Sequence, residues 1–211
     1  MRVFVRTAGE LCVTAGLLLV LFTAYLLWGT GRYVDQEQER LFRELARTWE
    51  APRGTTERVR LGDGVALIRI PKLGDGFRYV VVEGVGTADL RKGPGHYPGT
   101  AMPGQLGNFV VSGHRTTYGG PFNRLDELDI GDEIVIDTRR WRFTYRVTQS
   151  RVVPPTASEA IARVPFRPGR KPAKRYITLT TCHPEYSAAE RLIVVGELAE
   201  RVPRIQPVSA S

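Results

Sequence analysis

The sequence predicts a mainly β protein: a closed barrel of seven or eight strands with short helices, preceded by one membrane-spanning helix. Three observations carry that prediction. From Val65 onward, apolar and β-branched residues come in short runs separated by Gly- and Pro-rich turns, the pattern of a barrel rather than of alternating helices and strands. Trp141, Phe143, Tyr145 and Val147 alternate along one long run to Val153, as in a strand with one buried face. Leu11 to Trp28 carries no charged side chain, which is near the length a helix needs to cross hydrocarbon.

Taken in order, residues 1–10 form a cytoplasmic N-terminus and 11–28 a single anchor. Arg2 and Arg6 precede the apolar run, and positive charge stays on the cytoplasmic side, which places the rest of the chain outside. Tyr25 and Trp28 suit the membrane interface. The run ends in LLWGTGRY, without a small-x-small cleavage site, so it reads as a retained anchor and not a removed signal. Residues 29–64 hold a short amphipathic helix and a linker. Phe42, Leu45, Ala46 and Trp49 repeat at helical spacing within Asp35 to Glu50, and the helix lies on the membrane or on the domain. Ala51 to Gly64 is rich in Gly, Thr and Pro.

The barrel domain spans 65–198. Strands are expected at Val65–Ile70, Phe77–Val82, Asn108–Val111, Glu133–Asp137, Trp141–Val153, Tyr176–Thr181 and Arg191–Leu198. Helical turns are expected near Thr87–Lys92, Pro121–Leu128 and Ala157–Ala162. Pro154 to Lys174 is a proline-punctuated loop of the kind that forms lids or substrate walls. Residues 199–211 read as a frayed tail.

The 211-residue chain has a formal charge of +8. Only Lys72, Lys92, Lys171 and Lys174 of its 30 basic residues are lysine. That arginine excess suggests GC-rich coding and a surface with affinity for an anionic envelope or lipid headgroups. No basic helix or aromatic-interleaved patch points to nucleic acid. Three histidines and two cysteines, with no cluster at ligand spacing, leave no case for zinc or another metal. Cys12 lies within the anchor, so it cannot plausibly pair with Cys182. A lone thiol in an exported domain is a candidate nucleophile.

Cys182 ends the apolar run Tyr176-Ile177-Thr178-Leu179-Thr180-Thr181, and Arg191 opens the next. A short return would bring a guanidinium opposite the thiol, where it favours thiolate and stabilises an oxyanion. His114 follows Val110-Val111-Ser112-Gly113 and could serve as general acid and base. His183 would point away from Cys182 along a strand. His96, in GPGHYPG, is expected to hydrogen-bond backbone in a turn. Against these stand bland readings: a buried structural thiol, a satisfied turn histidine and one arginine among many.

These residues resemble the sortases, membrane-anchored cysteine transpeptidases of Gram-positive bacteria. TLTTC at Cys182, Arg191 at the start of the final strand, Gly113-His114 and Ile70-Pro71-Lys72-Leu73 resemble the family's motifs in order. GPGHYPGT, SGHRTTYGGPF and TCHPEYSAAERLIVVGEL look most like class E, the actinobacterial housekeeping type. The resemblance covers about 65–198 and implies the sortase-type barrel. It implies a catalytic set of Cys182, His114 and Arg191, which cleaves the Thr–Gly bond of a LAxTG or LPxTG sorting signal through a thioester. An amine of a cell-wall precursor or a pilin lysine then resolves the acyl-enzyme. Thr181 and Tyr118 are candidate substrate contacts; each could equally be a structural hydroxyl or a packing aromatic. No cofactor is implied, and with one acid, Glu159, in the long loop, no calcium dependence. Competing readings are an L,D-transpeptidase, which would want Ser-His-Gly before the cysteine, a pilin-polymerising sortase, and an inert membrane-tethered envelope-binding domain.

Overall fold

Strands built on short apolar runs must cover them against something, and here they close on one another. The computed structural model describes residues 2–25, 30–50 and 59–204. Two helices, α1 (Arg2–Ala24) and α2 (Thr30–Glu50), precede eight strands. These are β1 (Gly64–Arg69), β2 (Arg78–Glu83), β3 (Gly95–His96), β4 (Gly107–Ser112), β5 (Glu133–Asp137), β6 (Trp141–Val153), β7 (Arg175–His183) and β8 (Glu190–Pro203). A one-turn helix α3 (Thr87–Leu90) and 3-10 turns at Pro71–Leu73, Leu125–Glu127 and Ser158–Ile161 lie between them. The strands form a closed barrel in the order β1-β2-β3-β4-β7-β8-β6-β5. Ile68, Val81, Phe109, Val111, Ile134, Ile136, Tyr145, Ile177, Leu179 and Val194 fill its interior.

The apolar helix α1 has a mean hydropathy of 1.8, and none of its apolar stretch is buried among the described residues, which fits a membrane anchor. The helix runs from Arg2, ahead of the apolar run, and Glu10 pairs with Arg6 one turn back at 3.0 Å. Tyr25 is exposed at its end. Trp28 and residues 51–58 of the expected linker lie outside the described residues.

Amphipathic α2 lies on the domain. Leu41, Phe42 and Leu45 bury against Leu67, Val80 and Val82, the outward residues of β1 and β2. It also completes the barrel. β3 reaches only Val82 and Glu83 of β2, so the outer backbone groups of Val80 have no strand partner there. Gln38 of α2 supplies one: the Val80 N–H donates to Gln38 Oε1 at 2.6 Å, and Gln38 Nε2 donates to the Val80 carbonyl at 3.2 Å. The side-chain amide thus substitutes for a strand and satisfies groups that would otherwise be orphaned.

Two expectations are corrected. GPGHYPG is not wholly turn: Gly95 and His96 form β3, which joins β2 to β4. The start of the expected 199–211 tail is not frayed, because β8 continues to Pro203 against Trp141 of β6; residues 205–211 lie outside the described residues. The expected 154–174 loop packs on the outside of the strands. Ala160 and Phe166 pack on Ile193, Val195, Val153 and Tyr176. Buried Asn108 also donates to the carbonyls of Ala160 and Ala162 at 3.3 and 3.0 Å, and accepts from Thr178 Oγ1 at 2.8 Å.

Candidate active site

The site grows from two strand pairings. β4 runs parallel to β7, from Gly107 beside Arg175 to Ser112 beside Thr180. The pairing extends one residue further: the Gly113 N–H donates to the Thr180 carbonyl at 3.1 Å. Thr181 Oγ1 donates to the Gly113 carbonyl at 2.8 Å. Gly113 is required here, since any Cβ would strike the Phe122 ring. Carried on one residue more, the same register sets His114 level with Cys182. On the other side β7 runs antiparallel to β8, and Cys182 is directly paired with Arg191. Directly opposed residues of antiparallel strands project to the same face. The two registers therefore set Cys182, Arg191 and His114 at the same end of β4, β7 and β8. Cys182 and Arg191 are both half-buried, and Cys182 is unpaired.

Each side chain has a distinct environment. Arg191 Nη1 donates to the carbonyls of Ala188 and Glu190 at 3.1 and 2.8 Å, which fold the guanidinium onto the short β7–β8 return. His114 Nδ1 lies 3.3 Å from Thr117 Oγ1, and its Nε2 is buried without a hydrogen-bond partner. Burial, and secondarily the positive charge of Arg91, hold the imidazole below its ordinary value. Tyr118 packs its ring on His114 at 5.0 Å between centroids, tilted by 40°. Its backbone is left-handed at φ 50, a conformation that costs a non-glycine residue of order 1 kcal/mol and marks a constrained turn.

The other two histidines are engaged elsewhere. His183 faces Arg115, whose Nη1 lies 3.5 Å from His183 Nδ1 and whose Nη2 pairs with Asp126 at 2.9 Å. That buried guanidinium ties the strand end beneath Cys182 to the 3-10 turn at Leu125–Glu127. Asn123 Nδ2 donates to Glu185 at 3.0 Å and closes the same gap from outside. His96 is fully buried and stacked on Phe109 at 5.0 Å. Side chains hold it where backbone was expected: Glu83 Oε2 at 2.6 Å from Nδ1 and Thr100 Oγ1 at 2.8 Å from Nε2. Among the proposed substrate contacts, Thr181 is only 2% exposed and its hydroxyl is spent on Gly113. Tyr118 stays half-exposed beside His114.

Residues 68–199 match the family model described as the sortase domain, and the chain belongs to the sortase family. Its barrel is the sortase fold. The chain is 35% identical over 207 residues to sortase SrtE1 of Streptomyces coelicolor, covering 94% of this chain and 58% of that protein; it thus spans little more than half of that relative's length. A structure of sortase E from Streptomyces avermitilis superposes with a TM-score of 0.63 at 43% identity, covering 68% of this chain and 93% of that one. A crystal structure of sortase E1 from Streptomyces coelicolor with a tripeptide in the active site superposes with a TM-score of 0.63 at 39% identity, covering 70% and 94%.

Proposed function

We propose that the protein is a membrane-anchored sortase transpeptidase of the class E type, cleaving the Thr–Gly bond of a LAxTG or LPxTG sorting signal and joining the new carboxyl to a cell-wall amine. The observation that carries this reading is the pairing of Cys182 with Arg191 across β7 and β8, with Gly113-His114 pinned to the same strand end.

In this reading the Cys182 thiolate adds to the threonine carbonyl carbon. The Arg191 guanidinium donates to the oxyanion that forms, and it needs only a turn away from the carbonyls of Ala188 and Glu190 to do so. His114 gives a proton to the departing glycine nitrogen as the C–N bond breaks, which leaves a thioester on Cys182. An incoming amine then loses its proton to His114 and attacks the thioester, and the thiolate departs. A low-lying imidazole in a half-buried position returns to the neutral base after each transfer. The apolar α1 would hold the enzyme at the membrane with its N-terminus cytoplasmic and the barrel outside. No cofactor enters the scheme.

The test is cleavage of fluorogenic LAxTG and LPxTG peptides by the full chain in detergent, with and without an amine acceptor. The reading expects turnover that disappears in Cys182→Ala at an unchanged melting temperature. A folded wild-type chain that leaves both peptides whole would move the assignment to an inert envelope-binding domain. α2 should be kept in any shortened form, because Gln38 completes the β2 edge.

A further inference from the structure

The loop from His114 to Gly120 is held from outside the barrel by groups that belong to no strand. The Arg91 guanidinium, just past α3, lies over the Tyr118 ring at 5.5 Å. Tyr118 in turn packs on His114 at 5.0 Å. The three groups form one stack: cation, phenol ring, imidazole. Both ends are fixed. Backbone bonds of α3 seat Arg91, whose N–H donates to the Thr87 carbonyl at 3.3 Å. The next carbonyl, of Lys92, accepts from Gln38 Nε2 of α2 at 2.7 Å. Val34 of α2 is buried beside Gly119, in the same loop.

We propose that Arg91 is a positioning residue for His114, acting through the Tyr118 ring that it covers. A guanidinium over an aromatic face is attracted by the ring quadrupole, which holds Tyr118 in its left-handed turn and so fixes the face that the imidazole packs against. The ring also spaces the charge from the imidazole, close enough for Arg91 to disfavour imidazolium and help hold His114 below its ordinary value, after burial. The Tyr118 phenol lies on the same loop, Arg115 is turned toward Asp126 and His183, and Cys182 near the end of β7 and Arg191 near the start of β8 are at the strand end that the register sets level with His114. Arg91 is exposed, so salt screens its effect.

The inference rests on the catalytic reading of His114, so its test carries one readout that needs no turnover. Full-length chain in detergent, labelled at its three histidines, is titrated by NMR as wild type, Arg91→Gln and Arg91→Lys, alongside pH–rate profiles. In Arg91→Gln the His114 titration and the corresponding limb of the rate profile move to higher pH. The peptide kcat falls about threefold, the loss expected for one exposed cation–π contact. Arg91→Lys keeps the charge and restores the limb. High salt moves wild type toward Arg91→Gln. An unmoved His114 titration in a folded Arg91→Gln chain overturns the inference, as does a fall in kcat with the limb unchanged, which would make Arg91 merely structural. Should Arg91→Gln fail to fold, Tyr118→Leu is titrated in its place, and an unmoved His114 there overturns it as well. Absence of turnover in the wild type, with the NMR shift present, would instead count against the transpeptidase reading alone.

Discussion

Two histidines, His96 and His114, sit at neighbouring strands of one barrel and lead opposite lives. His96 on β3 is fully buried, with Glu83 on one ring nitrogen and Thr100 on the other. His114 beyond β4 has one long contact, to Thr117, and a second nitrogen that is buried and unpartnered. The first ring has no capacity left for a substrate; the second has a nitrogen in hand. Burying a polar atom without a partner costs about 1–3 kcal/mol, so the barrel maintains at His114 a deficit that it avoids at His96. On the proposed reading, that contrast separates a ring that holds a fold together from one held ready for chemistry.

Exchanging the two rings for inert ones should break the contrast along different axes. His114→Gln is expected to lower peptide turnover by about 10²–10⁴-fold, the usual worth of a positioned general acid and base, with little change in melting temperature. His96→Leu should do the reverse. It takes the ring partner from the half-buried Glu83 carboxylate and from Thr100 Oγ1, which keeps its bond to the Tyr97 carbonyl at 2.7 Å, and should lose about 1–3 kcal/mol of stability in chemical denaturation while the folded fraction turns over normally. Equal losses of stability in the two variants would erase the distinction. The smallest effect is on pH. Because His114 is held below 6.5 in the folded chain, the unfolded chain takes up that proton first as pH falls. Stability should therefore drop as pH falls through 6.5 and level off below the folded value. Denaturation midpoints measured across that range should lose this slope in His114→Gln and keep it in His96→Leu.

The sequence made the long strands plain and hid the short ones. Trp141, Phe143, Tyr145 and Val147 alternate within the run to Val153, and β6 has those ends. β3 has two residues between prolines and glycines, too few for a period to show. The end of β8 carries Glu200 and Arg201, exposed charges that no apolar pattern marks as strand and that pair with β6 in space. At the site, Cys182, His114 and Arg191 could be picked out because each follows or opens an apolar run. Arg91 had no such mark: it is one arginine among many, and its relation to His114 exists only through the intervening ring. Gln38 was likewise silent, since nothing in an amphipathic helix signals that one of its amides replaces a missing strand. Local pattern thus reports elements that repeat, whereas contacts that fill gaps between elements must be seen in space.

The most direct test of the shared strand end is to catch the acyl-enzyme. Full-length protein is mixed with a LAxTG peptide without an amine acceptor, quenched in acid and digested, and the fragment carrying Cys182 is weighed. The account predicts a mass increase equal to the peptide acyl group on that fragment, removed by hydroxylamine and strongly reduced in His114→Gln. A Cys182 that alkylates freely in the folded chain yet never carries the acyl group would contradict it.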